Sequence, residues 1–154
     1  MLFAIRSALT ALPLSPVLLM LRIALAILFW RSGLTKVTTT ASGMLPEIPP
    51  RLAAGVVDIF ANEYRVPLLG PETAAMLGAG GELILSALLL FGLFGRFAAA
   101  GLLVVTLVIQ WVYPGDWSDH LLWAGGLLLL VIRGPGSLSL DRLFWEPLNP
   151  RLRR

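Results

Sequence analysis

The sequence predicts an all-α membrane protein, folded as an antiparallel four-transmembrane-helix bundle with a short interfacial helix in the first outer loop. Hydrophobic residues make up 57% of the 154 residues and charged residues only 14%, whereas soluble domains average about 25% charged. The mean hydropathy is +0.83. Four segments approach the ~20 apolar residues that a helix needs to cross a bilayer. At this length we expect one membrane domain over residues 1–154.

The spans are predicted from the apolar runs and from the residues that interrupt them. The connections carry glycine, proline or charge, as at Gly95-Arg96 and in the turn YPGDWSD, where a helix should end. The remaining segments become an outer loop, 36–70, and a cytoplasmic tail, 133–154. The predicted spans are residues 16–35, 71–94, 97–113 and 117–132.

The outer loop contains a candidate helix of its own. Leu52, Val56, Ile59 and Phe60 recur at the spacing of one helical face, which predicts a short helix lying on the membrane surface. Residues 1–14 carry one basic residue and a short, proline-interrupted apolar stretch. An interfacial lead-in is favoured there over a signal peptide.

Lysine and arginine predict the orientation, because the cytoplasmic side of a membrane protein carries the excess of both. The outer loops hold Lys36, Arg51 and Arg65. Both termini of this multi-pass protein are therefore expected in the cytoplasm. The basic residues on that side are Arg6, Arg96, Arg133, Arg142, Arg151, Arg153 and Arg154.

Composition also excludes several kinds of chemistry. The chain has no cysteine, so it holds no disulfide, iron–sulfur cluster or covalently attached haem. His120 is the only histidine, which excludes a multi-histidine metal site within one copy. The net charge of +3 is spread over the ends of apolar runs rather than in one basic patch. We expect no covalent cofactor, no metal and no nucleic acid, so electron chemistry needs a bound molecule or a partner.

Glu82 is the main candidate for a functional residue. It lies near the middle of the second span, where an uncompensated charge costs at least a few kcal/mol. Small residues at helical spacing share its face, so Glu82 should point into the bundle. Those residues are Ala75, Gly78, Ala79 and Ser86.

The sequence leaves open whether Arg31 or Arg22 compensates Glu82. Side chains of a helix lean toward its N-terminus, which directs Arg31 inward from the outer leaflet and favours it as the partner. Arg22, however, belongs to an apparent packing stripe of the first span, which favours Arg22 instead. That stripe contains Arg22, Ala26, Phe29, Gly33 and Lys36.

Polar residues at the outer ends of the other spans predict a cavity in the outer leaflet. Gln110 lies on the third span, and His120 and Trp123 share a face of the fourth. Alternatively, Gln110 and His120 simply meet water, and Arg31 and Lys36 are interfacial anchors. The residues expected to enclose the polar cavity are Glu82, Arg31, Gln110, His120 and Trp123.

Several segments form a recognisable pattern: RIALAILFWRSGLTK, GELILSALLLFGLFGR, TLVIQWVYP with HLLWA, and RGPGSLSLD. Together they resemble the DoxX family, over a region from about Leu18 to Leu143. The resemblance implies a bacterial inner-membrane protein of four helices. Members of this family are similar to a small subunit of thiosulfate:quinone oxidoreductase, and other relatives are implicated in thiol-linked complexes. The residues at family positions include Arg22, Gly33, Lys36, Glu82, Gly95 and Arg96.

The leading functional hypothesis is a quinone-linked redox subunit. A quinone needs hydrogen-bond donors to its carbonyl oxygens, a proton path and an apolar channel for its tail. Glu82 and His120 would exchange protons and are the candidate catalytic residues. The candidate binding residues are Arg31, Lys36, Gln110, Trp123 and Arg22.

Two other functions remain open. The chain is alternatively a non-enzymatic scaffold or transport component that docks a partner subunit through its outer loop. A third hypothesis is proton-coupled or metal-peptide export along Glu82, His120, Asp116 and Asp119, for which four short spans would need to form a homo-oligomer. Membrane lipid is an expected partner in every case, since the arginine-rich tail suits anionic lipid.

Overall fold

The computed structural model describes residues 14–145, and helices account for its long elements. No β-strand occurs in this part of the chain, so the prediction of an all-α fold is confirmed. A π-helical turn, Phe60–Tyr64, continues α2, and a 3-10 turn, Pro114–Asp116, precedes α5. The helices are α1 (Leu14–Leu34), α2 (Val56–Ile59), α3 (Pro71–Phe91), α4 (Gly95–Val112), α5 (Trp117–Arg133) and α6 (Leu140–Trp145).

Three of the described helices, α1, α3 and α4, are long and apolar enough to cross a membrane. They make the chain a helical membrane protein. Helix α5 has 17 residues and packs alongside them. That α5 also crosses the membrane stays a prediction.

Neighbouring long helices run in opposite directions. Gly101 of α4 lies against Leu85 of α3, and Gly81 lies near Val105, so α3 and α4 are antiparallel. Helix α3 also packs on α1, and α5 packs on both α4 and α1, which closes the bundle. Large buried side chains from all four long helices fill its centre: Phe29, Leu89, Leu102, Leu127 and Leu130.

The two ends of the bundle carry different connections. At the end that we call the loop end, residues 35–70 join α1 to α3. Their first part, residues 37–52, is an irregular hairpin with bridges from Val37 to Leu52 and from Thr39 to Pro46. At the opposite end, the tail end, residues 134–145 fold back onto the bundle after α5.

The short helix of the loop is present, but its apolar face differs from the prediction. Val56 and Phe60 are buried against Ala74 and Ala75 of α3. Ile59 is exposed, because the chain makes only one α-helical turn before it widens into the π-helical turn. This helix therefore covers the loop end of α3, and its predicted position at the membrane interface stays a prediction.

Some predictions concern residues 1–13 and 146–154, which lie outside the described residues. They include the interfacial lead-in and the last part of the tail. The same is true of four of the basic residues used for the orientation: Arg6, Arg151, Arg153 and Arg154.

Candidate functional site

Glu82 forms an ion pair with Lys36 at the loop end. The Lys36 Nζ atom lies 2.7 Å from Glu82 Oε2. The ammonium group also donates hydrogen bonds to the carbonyl oxygen and the hydroxyl of Ser32, each at 3.1 Å. Only 2% of the Glu82 side chain and 13% of the Lys36 side chain are exposed. All three ammonium protons thus have acceptors, and the buried carboxylate has its counter-charge.

Gly33 allows this pairing because it brings α1 and α3 close together. A Cβ atom on Gly33 would lie 2.8 Å from Leu83 Cγ and 3.2 Å from Glu82 Cβ. Gly33 is one residue from the end of α1, whereas Glu82 is near the middle of α3. Glu82 is therefore level with the end of α1, and Lys36, two residues beyond that end, can reach it.

The prediction that an arginine pairs with Glu82 is wrong for both candidates. Arg31 is exposed on the outside of α1, and Arg22 is buried at the tail end. Lys36 lies on the same helical stripe as Arg22 and Gly33, so it faces α3, whereas Arg31 does not. The lean of helical side chains toward the N-terminus would bring Arg31 to Glu82 only if Arg31 faced the bundle. Arg31 instead faces outward.

Arg22 joins three parts of the chain at the tail end. Its Nη1 atom donates to the carbonyl of Pro135 at 2.8 Å. Its Nη2 atom donates to the carbonyls of Leu90 and Leu138, at 3.2 and 2.9 Å. Arg22 thus ties α1 to the end of α3 and to the segment that follows α5. The predicted role of Arg22 in binding a ligand at the Glu82 site is inconsistent with this position.

Asp141 closes the same end by capping α4. Its two carboxylate oxygens accept hydrogen bonds from the backbone N–H groups of Phe94 and Gly95, both at 2.7 Å. Unpaired N–H groups at a helix N-terminus favour a carboxylate, which satisfies them and complements the helix dipole. The segment GPGSLSLD, which ends at Asp141, therefore has a structural function here.

A cavity of about 340 Å³ lies at the loop end, between α3, α4 and the covering loop. Ser32, Lys36 and Glu82 form one wall. Leu77 and Val104 line the cavity and are also exposed on the outside of the bundle, so it opens sideways between α3 and α4. Its other lining residues are mostly apolar: Phe60, Val66, Leu69, Ala74, Gly78, Val105, Val108, Ile109 and Val112, with Tyr64, Tyr113 and Trp123.

His120 and Gln110 form a separate buried pair. His120 Nδ1 lies 2.8 Å from Gln110 Oε1, and the His120 side chain is buried. The Trp123 ring contacts His120 edge to face, with ring centroids 5.0 Å apart, and contacts Phe29 in the same manner at 6.0 Å. Trp123 lines the cavity, whereas His120 and Gln110 do not.

The prediction that five residues enclose one polar cavity is therefore only partly correct. The structure brings Glu82 and Trp123 to the cavity, places His120 and Gln110 one aromatic ring away from it, and leaves Arg31 outside. The cavity is also mostly apolar rather than polar. The reason is that Lys36 and Ser32 already satisfy Glu82, and the hydrophobic faces of α3 and α4 supply most of the remaining wall.

Sequence reasoning missed Ser32 and Tyr64. Ser32 precedes Lys36 by four residues, the spacing that places two side chains on one helical face, and this signal was available. Tyr64 comes from the π-helical turn, and its ring packs edge to face on Phe60 at 5.0 Å. Burial raises the pKa of Tyr64 above its ordinary value, and the negative charges of Glu63 and Glu82 raise that pKa further.

Comparison with protein-family models matches residues 17–115 to the model of the DoxX family. The matched region is more than half of the chain, and it contains most of α1, all of α3 and α4, and the Lys36–Glu82 pair. No curated protein and no solved structure matches the chain.

Proposed function

The chain belongs to the DoxX family of membrane proteins, and from that premise we propose that it is a quinone-linked redox subunit that binds a quinone-like molecule in the cavity at the loop end. The observation that carries the proposal is the Lys36–Glu82 ion pair in the wall of an otherwise largely apolar cavity. We further propose that all four long helices cross a bacterial inner membrane, with both termini in the cytoplasm.

The size and opening of the cavity support an amphipathic ligand. A volume of about 340 Å³ falls within the range of roughly 300–1,000 Å³ that small-molecule sites occupy. The gap between Leu77 and Val104 leads to the side of the bundle that would face lipid. A ring seated beside Glu82 would therefore leave its apolar tail a direct path into the bilayer.

The polar groups fit the head of such a ligand. Quinone oxygens accept hydrogen bonds, and the Ser32 hydroxyl, which otherwise interacts with Glu82, would turn to donate one. The Tyr64 hydroxyl has no hydrogen-bond partner within residues 14–145, which leaves it free to donate another. The Lys36 ammonium contributes mainly charge, because its three protons already have acceptors.

A bound quinone would supply the electron-carrying chemistry, with electrons coming from a partner subunit. Glu82 would hold or release a proton at Oε1 or Oε2 beside the ligand, and Lys36 would compensate the charge that results. His120 would exchange protons with Glu82 through a rearrangement of Trp123, which lies between the His120–Gln110 pair and the cavity.

The test compares two phenylalanine substitutions on α4. Val105 lines the cavity, whereas Leu107 is exposed and does not line it. Purified Val105→Phe should lose binding of a short-tailed quinone analogue, titrated by quenching of tryptophan fluorescence, because the larger ring fills the cavity. Leu107→Phe should bind as the wild type does. Equal binding by both variants would place the ligand elsewhere.

Two further variants examine the ion pair, through Glu82→Gln, and the source of the fluorescence signal, through Trp123→Phe. Glu82→Gln should weaken binding of the analogue while Trp123→Phe removes most of the fluorescence response, since Trp123 is the tryptophan in the cavity wall. Circular dichroism should show that both variants are folded. If the analogue quenches Trp123→Phe as strongly as wild type, the signal comes from a different site.

A second candidate function, docking of a partner subunit, is favoured by one observation in the loop. Leu68 is fully exposed and Leu69 is 42% exposed, just before α3 begins. A photo-crosslinking residue at position 68, compared with one at the exposed position 121 of α5, would test it in native membranes. A protein adduct specific to position 68 would support docking, and identical adducts at both positions would argue against it.

A further inference from the structure

A stripe of exposed residues runs along the outside of α1 and ends in an arginine. Its members recur at spacings of three and four residues, so they share one helical face that points away from the bundle. The stripe is apolar except at the loop end, where Arg31 and Thr35 complete it. Its residues are Met20, Ala24, Ile27, Arg31 and Thr35.

Arg31 lines a second cavity, of about 250 Å³, between the end of α1 and the hairpin of residues 37–52. Leu34, Thr35, Thr39 and Gly43 form the rest of its wall. Within residues 14–145, the Arg31 guanidinium has neither a hydrogen-bond acceptor nor a carboxylate partner. A positive charge with five donors therefore faces a space that no protein group fills.

The hairpin lies beside this stripe and presents apolar residues of its own. The Trp30 indole Nε1 donates a hydrogen bond to the carbonyl of Met44 at 3.1 Å, which holds the hairpin against α1. Met44, Leu45 and Ile48 are exposed, Ile48 almost completely. The apolar surface of α1 thus continues onto the hairpin, with Arg31 between the two.

We propose that this surface is a phospholipid site, with the lipid phosphate at Arg31 and an acyl chain along Ile27, Ala24 and Met20. A guanidinium forms paired, charge-assisted hydrogen bonds to phosphate oxygens. From Met20 to Arg31 the helix rises about 16 Å at 1.5 Å per residue. One leaflet of hydrocarbon is about 15 Å thick, so the stripe is as long as one leaflet is deep.

The lipid site is separate from the proposed quinone site and does not rest on it. Arg31 lies on the outer face of α1, whereas Lys36 and Ser32 face α3. The hairpin, which lines the Arg31 cavity, is nevertheless joined to Lys36 through the backbone. The N–H of Ala53, next to the hairpin, donates to the carbonyl of Lys36 at 3.0 Å. A lipid bound at Arg31 would therefore steady the segment that carries Lys36.

The test measures lipid binding by the full chain, purified in detergent and freed of native lipid. Native mass spectrometry would titrate dioleoyl phosphatidylglycerol against wild type, Arg31→Gln and Arg51→Gln. Arg51 is the control, an exposed arginine of the loop that does not line the Arg31 cavity. We expect Arg31→Gln to bind the first lipid at least about tenfold more weakly, the loss of one charge-assisted contact, and Arg51→Gln to match wild type.

Two further probes separate the phosphate from the chain. Dioleoylglycerol, which has the chains without the phosphate, should bind at least about tenfold more weakly than the phospholipid. Millimolar inorganic phosphate should not displace the phospholipid, because it lacks the chain that the stripe holds. Equal binding by Arg31→Gln and Arg51→Gln, equal binding of dioleoylglycerol, or displacement by inorganic phosphate would each overturn the proposal. Melting midpoints of both variants should equal that of wild type, since both arginines are exposed.

Discussion

Two largely buried cations on one helical stripe, Arg22 in α1 and Lys36 two residues after its end, have opposite surroundings. Arg22 donates to three backbone carbonyls at the tail end, where the segment after α5 packs directly over it. Lys36 pairs with the Glu82 carboxylate, and both residues of that pair line the cavity. Both residues lie in the region that matches the DoxX family model, yet only Lys36 lines a cavity.

The difference teaches that a buried charge is by itself a poor sign of function. Both cations are compensated, as any buried charge must be. At the tail end the compensation comes from backbone carbonyls and holds three segments together. At the loop end it comes from the Glu82 carboxylate, together with Ser32, in the wall of a cavity. The loop end is therefore where chemistry is expected, and the following substitutions test that contrast.

The largest loss of stability should come from Arg22→Met. Met keeps much of the side-chain volume but leaves the carbonyls of Leu90, Pro135 and Leu138 without their charged donor. Hydrogen bonds to charged groups contribute about 1.5–3 kcal/mol each, so we expect a loss of about 3 kcal/mol or more. Thermal unfolding in lipid-free detergent measures it.

Arg31→Met is the control for Arg22→Met, because it removes an exposed arginine from the same helix. Its melting midpoint should stay close to that of wild type. Binding of the quinone analogue by whatever Arg22→Met protein remains folded should be unchanged, since Arg22 does not line the cavity. A stable Arg22→Met variant that fails to bind the analogue would reverse the contrast between the two ends.

The next largest effect should come from breaking the Lys36–Glu82 pair one residue at a time. Lys36→Met or Glu82→Gln leaves one buried charge without its partner, and we expect each to cost about 2 kcal/mol. The double variant should regain part of that loss, because no unpaired charge remains. A double-mutant cycle of melting free energies measures the coupling.

Additive losses in that cycle would mean that Lys36 and Glu82 do not interact in the folded protein. The stability regained by the double variant should bring no recovery of quinone-analogue binding. Stability and binding would then separate at the loop end, whereas at the tail end only stability is expected to change.

A smaller effect is expected at Gly33, which sets the distance between α1 and α3. A Cβ there would lie 2.8 Å from Leu83 Cγ, so Gly33→Ala should push the helices apart and cost about 1–2 kcal/mol. Gly80→Ala is the control, since a Cβ at Gly80 meets nothing within 4 Å. Replacing glycine by alanine in a helix otherwise stabilises by about 0.5–1 kcal/mol. Melting midpoints should therefore move in opposite directions.

The residues that share the inward face of α1 could be predicted from the sequence. The position of α1 along the axis of α3 could not. Helical spacing placed Arg22, Gly33 and Lys36 on one inward stripe, and the structure buries that stripe. The same spacing contains no information on how far α1 is shifted along α3. Since Gly33 permits close contact near Glu82, α1 ends level with the middle of α3, which places a loop residue rather than Arg31 at the carboxylate.

The cavity was harder to predict because segments distant in sequence build it. Glu82 and Trp123 come from long helices whose inward faces can be inferred from spacing. Tyr64 comes from a π-helical turn, whose wider backbone does not follow the spacing of an α-helix. Its position over the cavity depends on how the loop folds across α3, which local sequence patterns do not specify.

The smallest predicted effect is the alkaline titration of Tyr64 at the edge of the cavity. Burial raises the pKa of Tyr64, so its hydroxyl keeps its proton more strongly in the folded chain than in the unfolded chain. The stability that results is complete below the ordinary tyrosine pKa of about 10 and is lost as pH rises through the higher folded pKa. Wild type should therefore lose more stability than Tyr64→Phe above that pH, measured by melting midpoints.

The Glu82→Gln background sharpens this last comparison. Burial is the largest cause of the raised Tyr64 pKa and the charges of Glu63 and Glu82 are smaller ones, so an alkaline difference should persist without the Glu82 charge. Its complete disappearance in Glu82→Gln would make the ion-pair carboxylate the dominant influence on Tyr64. Equal alkaline losses in wild type and Tyr64→Phe would show that the hydroxyl is solvated, which would remove it from the proposed donors to the ligand.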